Sequence, residues 1–252
     1  MTVNFGWGLG VALVVLTGLV VAVSIGFRLK LTRDVLIAAF RATVQLALVS
    51  LIIAGAVQNV WLAIGLALVM FAVAVRTTTT RVKAPETWPW AALAMAAGVL
   101  PVLAIIFLSG ASPFTGAAII PIAGIIIGNT MNGHTLMGRR CFAALRDDID
   151  TYEAALAIGL PRRQAVALVL EPHRTEALIP NIDTTKTVGL VTLPGAFVGV
   201  LLGGGSAIQA GAAQLLVLFG IMATQFLTVN VALWLVGRGK DLPEDLRTRL
   251  RP

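Results

Sequence analysis

The charged residues of this chain gather in one long passage from Arg139 to Lys186, and the centre of that passage carries types and spacings suited to a short helix, a tight turn and a second helix. It reads Asp150-Thr-Tyr-Glu153-Ala154-Ala155-Leu156-Ala-Ile158-Gly159-Leu-Pro161-Arg-Arg. The pattern predicts a short helix capped by Asp150, with Glu153 three positions on reaching back as in a capping box. Gly159 supplies a left-handed residue to end that helix, and Pro161 suits the first position of the next. Glu153 stands with the apolar Ala154, Ala155, Leu156 and Ile158 on a compact knuckle expected outside the membrane. The competing reading lays this helix on the inner membrane surface, held by Arg162 and Arg163. The acids Asp147, Asp148, Asp150 and Glu153 oppose that reading, because anionic lipid repels them.

A second set of polar residues falls inside apolar runs. Arg41 and Gln45 are one helical turn apart and share a face. They fit either a transport path that holds an anionic group or an arginine snorkelling to the interface beside an amide that bonds a neighbouring helix. Asn129 and Asn132 offer neutral amides to the same path. Gly124 and Gly128, like Gly195, Gly199 and Gly203, recur every four residues, the device by which membrane helices approach closely. His134 stands alone, without the convergent donors a metal site needs. No metal ligand set can be named.

Three motifs carry a resemblance. Glu153-Ala-Ala followed by Gly159 resembles the cytoplasmic loop by which permeases of ABC transporters dock on their ATP-hydrolysing subunit. The stretch Pro121-Ile-Ala-Gly124-Ile-Ile-Ile-Gly128-Asn129-Thr-Met-Asn132, with Ile179-Pro-Asn-Ile-Asp183 and Gly189-Leu-Val-Thr-Leu-Pro194-Gly195, is similar to the FetB-type family of ABC permeases. That family includes bacterial iron-export permeases and plant aluminium-tolerance proteins. The resemblance implies a homodimeric permease working with a separate ABC ATP-binding subunit, which binds ATP and Mg, and it implies export of iron or another metal. Glu153 to Pro161 would then be the ATPase-coupling element. No cofactor is expected on this chain.

The elements that position these residues follow from composition. With 252 residues, 58% of them hydrophobic and 12% charged, and a mean hydropathy of +0.91, the chain reads as an all-α polytopic membrane protein. Apolar runs of spanning length fall at about 5–27, 35–57, 60–76, 90–109, 114–137, 187–205 and 211–236, which predicts seven transmembrane helices in one permease domain, 1–252, with a coupling segment at 138–186. Of 19 basic residues, all but Arg41 lie on alternate connections. The N-terminus is therefore expected outside and the C-terminus in the cytoplasm, in the cell inner (plasma) membrane. No Lys or Arg precedes Arg28, so the first run lacks the basic start of a cleaved signal and reads as a retained span. The sequence pI near 10.7 does not point to nucleic acid, because the basic residues sit between apolar runs and not on one polar face.

Chemistry is limited as much by what the sequence lacks. It has no Gly-x-x-x-x-Gly-Lys-Ser/Thr loop, so ATP hydrolysis by that route belongs to a partner. The expected spans carry no Asp or Glu for ion coupling and no cysteine. A bare divalent cation is poorly served by amides and arginine, so a metal cargo is expected hydrated or chelated. An anionic small molecule such as a nucleotide sugar is the alternative cargo, and an ATPase-independent channel the alternative class.

Overall fold

The computed structural model describes residues 6–250; residue 5 of the first expected span and Arg251 lie outside the described residues. The chain is an all-α, multi-pass membrane protein, and among the described residues it has no strand, only an isolated bridge between Val188 and Thr192. Its helices are α1 (Trp7–Gly26), α2 (Thr32–Ala56), α3 (Val60–Arg81), α4 (Trp88–Leu108), α5 (Gly116–Asp147), α6 (Ile149–Ala157), α7 (Arg162–Leu170), α8 (Ile179–Thr187), α9 (Gly195–Leu202), α10 (Ala207–Gly237) and α11 (Glu244–Arg249). Short 3₁₀ turns sit at Pro85–Thr87 and Glu171–His173. The chain divides into two compact units, one up to Gln58 and one from Asn59 onward. The first is the α1–α2 hairpin, largely apolar, with Arg41 and Gln45 exposed on α2.

Local chemistry sets the helix starts of the second unit. The Asn59 side chain accepts from the backbone N–H of Trp61 at 2.9 Å and of Leu62 at 3.4 Å, capping α3. Ser206 and Gln209 form a reciprocal capping box at the start of α10. At 32 residues α5 is about 48 Å long, against a hydrocarbon thickness of about 30 Å. Its basic end therefore extends beyond the membrane.

Six described helices, within Trp7–Gly26, Thr32–Ala56, Val60–Arg81, Pro85–Leu108, Gly116–Asp147 and Ala207–Gly237, are long and apolar enough to cross. The expected span at 187–205 differs. It is not one helix but the end of α8, a break over Val188–Pro194, and α9, whose 8 residues cover only about 12 Å. Gly189 takes φ +84 and Pro194 is extended, so the helix cannot continue through either. The two pieces still follow α10: the Phe197 N–H donates to Gln214 Oε1 at 3.3 Å, while Ile182 packs into the cluster that holds Val229 and Ala232. Those contacts lie about 22 Å apart along α10.

Small residues set the close approaches, though only partly the expected ones. A Cβ at Gly124 would meet Met70 Cε at 2.8 Å, whereas one at Gly128, Gly195 or Gly199 would meet nothing within 4 Å. At Gly203 it would meet only the backbone of α9 itself, so these four glycines do not pack helices inside one chain. The tight contacts fall at Gly98, against Thr224 and Thr228 of α10, at Gly133, against Gln225, and at Gly138, against Val82. An apolar cluster of Val75, Met95, Val99, Val102, Ile126 and Ile127 fills one half of the unit. A second cluster at the basic end gathers Phe142, Leu145, Tyr152, Val166, Leu235 and the leucines 242, 246 and 250.

Candidate functional site

The knuckle expected around Glu153 is present. Helix α6 begins two residues earlier than the sequence suggests: Asp148 is its N-cap, without a side-chain cap bond, and Asp150 lies in the first turn. The proposed Asp150–Glu153 box is therefore not formed; Asp150 instead places negative charge where the helix dipole favours it. The exit matches the expectation. Gly159 takes φ +89, Leu160 N–H donates to Ala155 O at 3.0 Å and Gly159 N–H to Leu156 O at 2.9 Å. That is a Schellman turn, and Leu160 packs back on the basic-end cluster, as such turns favour. Nothing lies within 4 Å of a Cβ at Gly159, so backbone conformation, not space, is what requires glycine. Pro161 is the extended N-cap of α7 and not its first residue.

Helix α6 has two faces. Tyr152 and Ala155 are buried and Leu156 is packed against the same cluster. Burial pushes the Tyr152 hydroxyl pKa up, while the positive charge of Arg162 opposes the shift. Ala155, expected on the docking face, is thus turned inward because it lies three residues from Tyr152 on one stripe. The outward face carries Glu153, Ala154, Ala157 and Ile158, with Ile158 80% exposed.

Beneath the knuckle, the segment after α10 returns to the bundle. Arg146 donates to Asp245 through Nε at 2.7 Å and Nη2 at 3.1 Å, a bidentate pair. The Arg146 guanidinium holds the Asp245 carboxyl below the ordinary carboxylate range. His134 is wholly buried, with Nε2 3.2 Å from Asp241 Oδ2 and Nδ1 3.0 Å from Thr78 Oγ1; Thr78 Oγ1 in turn lies 2.8 Å from Thr135 Oγ1. The histidine that reads as solitary in sequence therefore ties α3, α5 and the C-terminal segment together. Asp241 lies 107 residues from it, and no sequence signal joins them. A signal for the segment itself exists: Leu242, Leu246 and Leu250 recur every four residues, and all are buried.

The expected path residues divide between the units. Arg41 and Gln45 lie exposed on α2 in the first, Asn129 and Asn132 on α5 in the second. Asn129 is engaged: its Nδ2 donates to Ile125 O at 2.8 Å, and its own carbonyl accepts from Gln225 Nε2 at 2.9 Å. Asn132 is exposed, and its Oδ1 accepts from Arg81 Nη1 at 3.5 Å. Arg76 and Arg81, read as loop residues in sequence, are both helical, since α3 continues to Arg81. Among the described residues no group of three or more His, Cys, Asp or Glu is placed to hold a metal.

Comparison with known proteins adds what the geometry alone does not give. The pattern of the family described as Uncharacterised protein family (UPF0014) matches residues 7–239. "UPF0014 membrane protein STAR2" of Oryza sativa subsp. japonica is 33% identical over 219 residues, 84% of this chain and 75% of that protein. "Probable iron export permease protein FetB" of Escherichia coli (strain K12) is 33% identical over 147 residues, 58% of this chain and 56% of that protein. "Protein ALUMINUM SENSITIVE 3" of Arabidopsis thaliana is 37% identical over 134 residues, 51% of this chain and 47% of that protein. No solved structure matches.

Proposed function

This chain belongs to the UPF0014 family, the FetB-type permeases, and from that premise we propose that it is the membrane-spanning subunit of an ABC transporter, driven by a separate ATP-binding subunit that carries ATP and Mg. The observation that carries the reading is the outward face of α6. An exposed Glu153 and an 80% exposed Ile158 stand on a helix whose exit is fixed by the Gly159 turn and whose inner face is locked into the basic-end cluster. A force applied to that face is passed to α5 through Tyr152 and Ala155, because packed cores transmit displacement.

In this reading the basic connections face the cytoplasm, the N-terminus lies outside, and the broken α8–α9 pair supplies the seventh crossing that puts the C-terminus inside. Two copies of the chain would form the path. The cargo proposed is iron or another metal ion moved outward as a chelate or hydrate. The exposed Arg81–Asn132 contact favours an anionic complex over a bare cation, and on the same ground an anionic small molecule such as a nucleotide sugar is the second reading. The test is uptake into inverted proteoliposomes containing this chain and its ATP-binding subunit, with ferrous ion, a ferric chelate and a nucleotide sugar compared. ATP-dependent uptake of the chelate that is lost in Arg81→Ala supports the reading; saturable movement of free ferrous ion without the ATP-binding subunit contradicts it.

A further inference from the structure

One cleft of the second unit takes no part in the coupling face or the path. It lies between α7 and the C-terminal half of α10, encloses about 340 Å³, and is lined by Arg163, Arg174, Val166, Leu170, Asn230 and Trp234, among others. At Asn230 and Trp234 it meets a second groove of about 580 Å³ whose further walls are wholly apolar: Phe226, Leu227 and Val231. Sharing Asn230 and Trp234, the cleft and the groove make one open surface channel that changes character along its length. Arginines stand at the end where α10 leaves the membrane, and hydrocarbon lines the rest, about 12 Å of helix from Trp234 back to Phe226. The arginine end is built. Gly237 leaves room for the Arg163 stem, whose Cγ would lie 3.6 Å from a Cβ there, and the Arg238 guanidinium lies 3.6 Å over the Trp234 ring. Glu171, paired with Arg174 at 3.0 Å, sets one acid against the cations Arg163, Arg174 and Arg238.

We propose that this channel holds one anionic phospholipid, its phosphate between Arg163 and Arg174 and an acyl chain along Phe226, Leu227 and Val231. Charge and shape select that occupant together. A basic pocket at a membrane surface attracts an anionic headgroup, a tryptophan belongs at headgroup depth, and only a molecule with a hydrocarbon tail satisfies the apolar continuation. A choline headgroup would bring its own cation against Arg163 and Arg174. The acids around the start of α6 that oppose lipid contact, Asp147, Asp148, Asp150 and Glu153, do not line this channel. The proposal rests on the position of α10 in the membrane and is independent of the transport reading.

The test is native mass spectrometry of the full-length protein, extracted in mild detergent and equilibrated with equal amounts of phosphatidylglycerol and phosphatidylcholine. One phosphatidylglycerol should be retained in preference. The double variant Arg163→Gln/Arg174→Gln should weaken that retention about tenfold while leaving the phosphatidylcholine adduct unchanged. Asn230→Trp, which fills the junction and keeps every arginine, should lose the adduct as well. Arg163→Lys/Arg174→Lys should keep it, which separates lost charge from lost folding. Equal retention of both lipids, an undiminished adduct in the glutamine variant, displacement by millimolar inorganic phosphate, or an adduct confined to the dimer would each overturn the proposal.

Discussion

The two halves of the Asn59–Pro252 unit are built by opposite means. In the lipid-embedded half, α4 meets α10 at Gly98, α3 meets α5 at Gly124, and the filling residues are Val99, Val102, Ile126 and Ile127. Lipid is as apolar as these side chains, so burial alone gives little there, and close approach of backbones through small residues supplies the packing energy. At the basic end the same helices leave the membrane. There the chain uses large apolar side chains, Phe142, Tyr152, Leu242, Leu246 and Leu250, buried against water in the ordinary way, and adds polar ties such as His134–Asp241 and Arg146–Asp245. Each half is thereby sensitive to a different kind of substitution.

That contrast predicts a series of effects, each read as thermal stability in detergent. Leu246→Ala at the basic end should be the most damaging, about 2–5 kcal/mol, as for other buried leucines. Gly98→Leu, in the lipid half, should cost about 1–3 kcal/mol, since the added side chain runs into Thr224 and Thr228. Gly128→Ala, where nothing lies within 4 Å, should be silent in the isolated chain. If Gly128→Ala were as harmful as Gly98→Leu, the division between packing and open glycines would be wrong. Asp241→Ala strips a partner from buried His134 and should cost about 1–3 kcal/mol.

A small, pH-dependent effect belongs to the exposed pair. The carboxyl of Asp245 is held low in the folded state by Arg146, so its contribution is present above the ordinary carboxylate range and is lost as pH falls through the depressed value. Both partners are partly exposed, so the contribution should be within about 0.2–1 kcal/mol, and acid should loosen the basic end before the lipid half. Amide exchange in α11 and α5 followed down the pH scale would show this order.

What the sequence makes legible is what depends on near neighbours. Six of the seven apolar runs are long helices, and the Gly159 turn is readable because a helix, a glycine and a proline fall in order within a dozen residues. The break at Val188–Pro194 is hidden by averaging: the stretch is apolar enough to span, and hydropathy does not register the backbone angles of Gly189 and Pro194. Ala155 reads as an outward residue for a related reason, since its inward turn is visible only once Tyr152 is known to be buried. His134–Asp241 could not be read at all, because a pair 107 residues apart is brought together by the fold alone. Cys141 shows the same limit. Its position past the fifth run suggests a thiol reachable from the cytoplasm, yet it is wholly buried, so a maleimide should leave it unlabelled from either side of the membrane.

That inert thiol leaves the coupling face open to direct measurement. With Ile158→Cys introduced and the chain reconstituted with the proposed ATP-binding subunit, a short photo-cross-linker attached to the new thiol should join position 158 to that subunit. Glu153→Lys and Gly159→Val should abolish both the cross-link and ATP-driven transport while leaving membrane insertion intact, since one reverses the exposed charge and the other forces a β-branched side chain into positive φ. A chain that transports without the ATP-binding subunit, fails to cross-link from position 158, and keeps full activity in both variants would contradict the account.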